Sequence, residues 1–484
     1  MPDTFILTIN GKHERVHALP PTRTLLAYLR DAGRVGTKEG CGDGDCGACT
    51  VVMVAAGPDG RAQYQALNSC IVPIAALAGR EIVTVEGIAD GKPHPVQQAM
   101  IQSGGSQCGY CTPGFVMSMF SAYYDGSLGD AAIEGNLCRC TGYLPIRRAM
   151  ASLGGPAADD PFLQRLSAHP TVGGSEGAGA SKLAGRRPSE PYAHLEQTYY
   201  TPTTLAELLD IVAENEAATP VAGATDIGLE FSWHRGRFTA LIGLEHVAEL
   251  KALSDTEAFV EIGAAVPLSH LEVNVGGVFP ALDEMLRCFA ARQIRNRATI
   301  GGNLATASPI GDLAPVLLAL DATVKLASKS ATRQLPVSEL FTGYRRTALR
   351  AGEVIVSVTI PKQLAPGASE RVSRSYKVTK RGSDDISTVA AAFTLDLAEG
   401  GSVLHARLAY GGVAPTPLRA YDAEAFLLGR EWSEATMLSA KERLEEAFTP
   451  IGDVRGSAAY RRALTGNLFH RFFLDTQAAA PEAS

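Results

Sequence analysis

Eight of the nine cysteines lie between Cys41 and Cys140, and only Cys288 falls outside that stretch. Thiols bind soft metals, pair as disulfides or act as nucleophiles, so such clustering needs a cause. No basic region opens the chain, and the apolar run between Phe5 and Ile9 is too short for a signal peptide or a membrane anchor. The sequence therefore predicts a soluble cytoplasmic protein. In that reducing medium disfavoured disulfides leave metal binding or catalysis as the work of the cysteines.

Spacing narrows the chemistry. Cys41, Cys46 and Cys49 follow C-x4-C-x2-C, with Cys70 further on, which is the plant-type ferredoxin arrangement around a [2Fe–2S] cluster. The small residues between them let a tight loop aim amides and thiolates at a compact anion. A four-cysteine zinc site usually uses paired C-x2-C hooks, which this loop lacks. A second set pairs Cys108 and Cys111 (C-x2-C) with Cys138 and Cys140 (C-x-C). By spacing alone this set suits zinc or a cluster equally. Its position after a ferredoxin-type loop favours a second cluster.

The elements that must hold these thiols follow from periodicity. Phe5 to Ile9 alternates, Gly11 turns and Thr24 to Arg30 has helical spacing, so the first ~75 residues read as a small β-rich unit. From Pro95 the pattern turns helical, over Val96–Ile101, Phe115–Tyr124 and Ile146–Leu153. Pro113 and Pro145 sit where first-turn prolines belong, so two helix N-termini, with their partial positive charge, point at the second set of thiolates. Gly, Ala, Ser and Pro dominate from Gly154 to Pro191, including the run Gly173 to Gly179, which predicts a linker unable to order itself. Beyond it, Leu205 to Val212 reads as helix, Thr219 to Ala222 leads into a glycine turn, and Val354–Ile360 and His405–Tyr410 read as strands. The second half is mixed α and β.

At 484 residues the chain exceeds one core and predicts at least three domains. Its net charge of -7 and pI near 5.9 arise from scattered groups, which excludes a nucleic-acid or anionic-lipid footprint. No internal repeat is visible.

The string Gln107 to Gly114 (QCGYCTPG) and the string Glu134 to Tyr143 (EGNLCRCTGY) closely resemble the iron–sulfur domains of the xanthine oxidase family. That resemblance implies a helical domain whose cluster lies near molybdopterin, with Gln107 touching the pterin. Simple loop hydrogen bonding is the plainer alternative for Gln107. The resemblance continues through nearly the whole chain. Pro220-Val221-Ala222-Gly223-Ala224-Thr225-Asp226-Ile227 looks like the family's first FAD loop, and Thr299-Ile300-Gly301-Gly302-Asn303 through Asp312 like its second. Adjacent glycines there permit close phosphate approach, and Asn303, Thr306, Ser308 and Asp312 offer polar groups to ribityl and adenosine. No G-x-G-x-x-G fingerprint is present, so a Rossmann site is not indicated. The resemblance further assigns Phe289 to stacking on the isoalloxazine, Ile355 to the adenine end and Lys377 to a flavin contact. Core packing is the alternative for Phe289 and Ile355. The charged loop Lys377 to Ile386, with Asp384, resembles the loop beside the flavin that governs access for NAD, although a charge run is usually a solvated face. Asp453 to Leu464 resembles the small domain that closes the flavin half.

Residue pattern and resemblance together imply a multidomain α+β fold. A β-grasp plant-type ferredoxin domain would occupy residues 1–80, a four-helix [2Fe–2S] bundle 81–155 and a linker 156–192. A vanillyl-alcohol-oxidase-type FAD domain would follow over 193–365, then a small α/β C-terminal domain over 366–478. The implied cofactors are two [2Fe–2S] clusters and FAD, with NAD as acceptor and molybdopterin in a partner. The implied chemistry is purine hydroxylation at a separate molybdenum-binding large subunit, in a dimer of heterodimers, with electrons passing through the second cysteine set, the first and FAD to NAD. No residue here acts on the purine. Rivals are the same role in a carbon monoxide, nicotinate, aldehyde or aromatic-CoA hydroxylase, or a redox-sensing iron–sulfur flavoprotein without turnover. The aromatic-CoA type carries a further cluster in its flavin portion, where this chain has only Cys288, expected as a buried thiol.

Overall fold

Phe5, Leu7 and Ile9 turn into the core from one face of β1 (Thr4–Ile9), as the alternation requires. The computed structural model describes residues 3–89, 91–169, 190–382 and 384–478. β1 pairs antiparallel with β2 (Lys12–His17) and parallel with β5 (Glu81–Val83). With β3 (Thr50–Ala56) and β4 (Ala62–Asn68) they form a sheet of order β2-β1-β5-β3-β4. The helix expected near Thr24 is α1 (Leu25–Asp31), and the Thr24 hydroxyl caps it by accepting the Ala27 N–H at 3.2 Å. Leu25 and Leu29 pack into the sheet's core.

The helical part contains α2 (Pro95–Gln102), α3 (Thr112–Asp125), α4 (Asp130–Ile133) and α5 (Leu144–Ala151). Almost all of α3 from Gly114 to Tyr123 is buried, so it is the central helix. The stretch expected to be linker is ordered at its start, a departure from the sequence reading: α6 spans Pro161–Ser167. Asp160 accepts the Phe162 and Leu163 N–H groups, Pro161 holds the first position, and the Phe162 ring packs edge-on against Phe120 at 5.2 Å. A cap, a first-turn proline and one aromatic anchor outweigh the surrounding composition. The run Gly173 to Gly179 lies outside the described residues.

Under α6 a buried polar chain runs from His94 Nε2 to the Tyr124 hydroxyl (2.9 Å), which donates to Asp160 Oδ1 (2.9 Å). His94 Nδ1 accepts the Val96 N–H, so the ring is satisfied as a neutral tautomer, and burial depresses its pKa to about 4. An unfolded histidine titrates near 6.5, so the native state loses stability as pH falls from about 6.5 toward 4, by on the order of 3 kcal/mol at the low end. Melting curves across that window should show this decline. A His94→Gln variant that kept the same pH slope would remove the histidine as its source.

Past residue 190 the chain forms β6 (Tyr192–His194), β7 (Gln197–Tyr200), β8 (Thr219–Val221) and β9 (Ala240–Gly243), in the order β6-β7-β9-β8. The expected helix near Leu205 spans Leu205–Glu214. The described residues divide into two compact units. One holds those up to Ala248 together with Pro267–Val273 and Ala290–Ala298; the other holds Glu249–Val266, Asn274–Phe289 and everything from Thr299. In the second unit, β10 (Leu253–Asp255), β11 (Phe259–Gly263), β12 (Thr323–Ala327), β13 (Thr332–Pro336) and β16 (Val354–Pro361) build a sheet of order β10-β11-β16-β12-β13, with β14 (Phe341–Gly343) and β15 (Arg346–Thr347) as a separate hairpin. β17 (Glu370–Val378), β18 (Val389–Leu397), β19 (Val403–Gly411) and β20 (Leu418–Arg419) form the antiparallel C-terminal sheet. The helix Ala458–Ala478 covers it, packing Phe469 and Phe472 on Phe393. Among the described residues no helix is long and apolar enough to cross a membrane.

Candidate cofactor sites

The first cysteine loop is folded around its own thiols. Cys41 N–H donates to Cys46 Sγ and Cys46 N–H to Cys41 Sγ, each at 3.2 Å, and Asp43 N–H reaches Cys41 Sγ at 3.5 Å. These amides stabilise thiolate charge. Gly40 is required because a methyl there would stand 2.5 Å from Cys46 Sγ. Cys70, which follows β4, meets both Cys41 and Cys49, so the four thiols form one group, with Cys49 and Cys70 buried and the other two half-buried. The Cys46 contact pulls the Cys41 thiol far down while the same contact raises Cys46. Burial first, and then the Cys41 thiol, push the neighbouring Asp43 carboxyl up to about 6.

The second set assembles from two turns. Cys111 is the N-cap of α3, and Pro113 stands in its first turn. Cys138 N–H donates to the Tyr143 hydroxyl at 3.0 Å and its Sγ meets Thr141 Oγ1 at 3.1 Å, while Tyr143, at φ 68°, starts α5. The thiols pair across the turns: Cys140 with Cys108 at 3.5 Å, and Cys138 with Cys111. Burial lifts the Cys111 thiol to about 12. Cys108 and Cys140 are exposed, as is Gln107 beside them. Both groups fit a [2Fe–2S] cluster in donor number and in the amides directed at sulfur.

In the first unit the Pro220–Ile227 loop leaves β8 and turns at Ala224, a non-glycine residue at φ 64°. Gly223 has a packing reason beyond phosphate access, because a methyl there would lie 1.8 Å from the Arg297 carbonyl. Ala222, Thr225 and Ile227 are half-buried, Asp226 is exposed and Val221 is core.

In the second unit Thr299 caps the helix Ile300–Ala305 by accepting the Gly302 N–H at 3.0 Å, and the Gly301 N–H is tied to the Ala264 carbonyl. A methyl on Gly301 would strike Ala264 Cβ at 2.5 Å, so this glycine too serves packing. Asn303 Oδ1 is buried with no hydrogen-bond partner among the described residues, an acceptor suited to a ligand hydroxyl or amine. Thr306 and Ser308 spend their hydroxyls within the loop, on the Asn303 carbonyl and the Ile310 N–H. Lys377, on β17 with its side chain 2 % exposed, donates to Asp312 Oδ2 at 2.8 Å, and Ser387 Oγ donates to Oδ1 at 2.5 Å. Phe289 is buried at the end of the helix Pro280–Arg287, and Ile355 is buried in β16 opposite Leu326. Asp384 is 8 % exposed at φ 44°, so a solvated charged face does not describe it. Its neighbour Asp385 accepts the Lys380, Arg381 and Ile386 N–H groups; burial opposes ionisation, but these donors hold its carboxyl below the ordinary range. Cys288, expected buried, is half-buried with its thiol toward the Glu284 carbonyl. An orphaned acceptor beside Gly301 and Gly302, with left-handed backbone at Ala307 and Asp384, fits part of an FAD site.

Sequence reasoning passed over Gln293, Arg295 and Asn136. Gln293 and Arg295 stand in a largely polar run, Arg292 to Arg297, directly ahead of the second flavin loop, but nothing local in it names their partners.

Comparisons agree with this geometry. Residues 7–75 match the 2Fe-2S iron–sulfur cluster binding domain and residues 84–151 the [2Fe-2S] binding domain. Residues 193–363 match the FAD binding domain in molybdopterin dehydrogenase, and 374–476 the CO dehydrogenase flavoprotein C-terminal domain. The class follows: a chain with two [2Fe–2S]-binding domains and an FAD-binding domain. Xanthine dehydrogenase of Emericella nidulans is 35% identical over 98% of this chain and 38% of that protein. Xanthine dehydrogenase 2 of Arabidopsis thaliana is 32% identical over 97% of this chain and 40% of that protein. This chain thus spans about two fifths of the length of the curated relatives it matches. A chain of quinoline 2-oxidoreductase from Pseudomonas putida 86 aligns with TM-score 0.53 and 28% identity, over 58% of this chain and 96% of that one. A chain of carbon monoxide dehydrogenase from Hydrogenophaga pseudoflava, in a form lacking the Mo-pyranopterin moiety, gives 0.54 and 28% over the same shares. More particularly, then, the chain is like the iron–sulfur and FAD subunits of molybdenum hydroxylases.

Proposed function

We propose that the chain is the electron-transfer component of a xanthine dehydrogenase, receiving electrons from a molybdenum subunit that oxidises hypoxanthine and xanthine to urate and delivering them to NAD. The observation that carries this reading is the single-chain order of both iron–sulfur domains and the flavin domain, aligned over 98% of its length with a xanthine dehydrogenase, against 58% for the carbon monoxide and quinoline enzymes. The quinoline enzyme supports a second reading, the same role for another N-heterocycle.

Cys41, Cys46, Cys49 and Cys70 would hold one cluster, and Cys108, Cys111, Cys138 and Cys140 the other. The exposed edge at Gln107, Cys108 and Cys140 faces the partner's pterin. The loops 220–227 and 299–312 bind FAD, with Asn303 accepting from the cofactor and Phe289, Ile355, Lys377 and Asp384 lining it. Bound clusters would supply electrons one at a time, and bound FAD would store two of them with a proton so that they can leave together as a hydride. The protein works in the cytoplasm as a dimer of heterodimers, with domains at 1–80, 81–155, 193–365 and 366–478.

The test is kinetic. The isolated chain should oxidise NADH with an artificial acceptor and hydroxylate no purine until a molybdenum subunit is added. Purine turnover by the molybdenum-free chain, or a reconstituted complex turning over another heterocycle but not xanthine, would overturn the reading.

A further inference from the structure

The segment Ala290–Ala298 precedes the second flavin loop in sequence but belongs to the compact unit that holds the cysteine sites. Gln293 is 1 % exposed, and its Nε2 lies 3.0 Å from Ser118 Oγ on α3, 3.2 Å from Asn136 Oδ1 and 3.5 Å from Thr50 Oγ1 at the start of β3. Asn136 in turn donates to the Gly47 carbonyl at 3.0 Å. Gly47 lies between Cys46 and Cys49, and Asn136 stands two residues before Cys138. One side chain from a distant segment therefore completes a buried polar knot where the loop of one cysteine set touches the turn of the other.

The backbones at this junction leave no slack. The Leu137 N–H donates to the Cys46 carbonyl at 3.0 Å, which makes a short hydrogen-bonded path from Cys46 to Cys138. Added methyl groups would stand 2.1 Å from the Gly135 carbonyl at Gly47, 2.2 Å from the Gly47 carbonyl at Gly114, and 2.3 Å from Gln293 Oε1 at Gly135. Gln293 is thus the wall against which the Gly135 turn rests. Arg295, on the same short helix, anchors that turn from its other end by pairing with Glu134 at 2.9 Å and Glu272 at 2.6 Å.

We infer that Gln293 is a positioning residue for electron transfer between the two cysteine sites, fixing the register of Gly47 against Gly135 and Asn136. The inference rests on the reading that both cysteine sets hold [2Fe–2S] clusters. Its physical basis is that tunnelling between two centres weakens steeply when a path of contacts opens, and that the directional bonds of the buried Gln293 amide nitrogen to Ser118, Asn136 and Thr50 fix one arrangement where an apolar contact tolerates several.

The test uses the full chain with its clusters, comparing wild type with Gln293→Ala and with Gln293→Met, which keeps the volume but removes donor and acceptor. Asn296→Ala is the control, since its amide holds the Ala66 carbonyl on β4 and, among the described residues, makes no bond to Ser118, Asn136 or Thr50. Iron content and the two paramagnetic signals of the reduced clusters are read together with the spin–spin splitting between them. Both Gln293 variants should keep full iron and both signals but show a smaller or smeared splitting and a several-fold slower equilibration between clusters; the control should match wild type. Unchanged splitting and rate in the folded variants overturns the positioning role. If the alanine variant fails to fold, the methionine variant decides. A wild-type chain showing one signal or none sinks the two-cluster reading itself and is told apart by its iron content.

Discussion

Cys138→Ser is expected to halve the iron of the chain, from about four irons and four acid-labile sulfides to about two of each, and to erase one of two paramagnetic signals. Cys46→Ser should erase the other signal instead. Each thiol sits in a close pair within its own set, Cys138 with Cys111 and Cys46 with Cys41, so losing one ligand opens one site and leaves the other complete. Serine preserves the shape of the loop, which separates loss of a ligand from loss of the fold. Retention of full iron in either variant, or zinc in place of iron in the second set, would refute the assignment of these thiols. The Cys138 variant should also retain NADH oxidation with an artificial acceptor, because neither flavin loop lies in its turn.

The thiol sites could be read from the sequence because their chemistry is local. Cys41, Cys46 and Cys49 are bound to one another by short loops, and the loop that spacing implies is the loop that forms. Helix starts at Thr24 and Pro113 were visible for the same reason, since a cap or a first-turn proline acts within a single turn. Asp160-Pro161 is an equal signal, outvoted by the composition around it. What the sequence withheld was long-range. Gly223 and Gly301 look like phosphate-loop glycines, yet each meets a backbone or methyl group that no local pattern names, the Arg297 carbonyl and Ala264. Gln293 is silent for the same reason: its partners Thr50, Ser118 and Asn136 come from three other elements, and only the folded chain brings them together. Asp384 reads as one charge in a solvated run until the backbone turns it inward.

Lys377→Met should destabilise the C-terminal unit and strip much of its flavin. The ammonium is the partner of a shielded Asp312 carboxylate whose other oxygen takes the Ser387 hydroxyl, so its removal leaves a charge largely withdrawn from water. Breaking a buried pair from one side typically costs about 3–5 kcal/mol, more than an exposed pair contributes. In a domain of this size each kcal/mol lowers the melting temperature by roughly 2–4 °C, so a clear drop is expected. The double variant Lys377→Met with Asp312→Asn removes the orphaned charge and should recover most of the melting temperature. If Lys377 also touches the cofactor, the double variant binds less FAD per chain than Asp312→Asn alone, measured by flavin absorbance against protein. Equal flavin in the two would leave the lysine as a purely structural partner of Asp312. An unchanged melting temperature in the single variant would show that water reaches this pair after all.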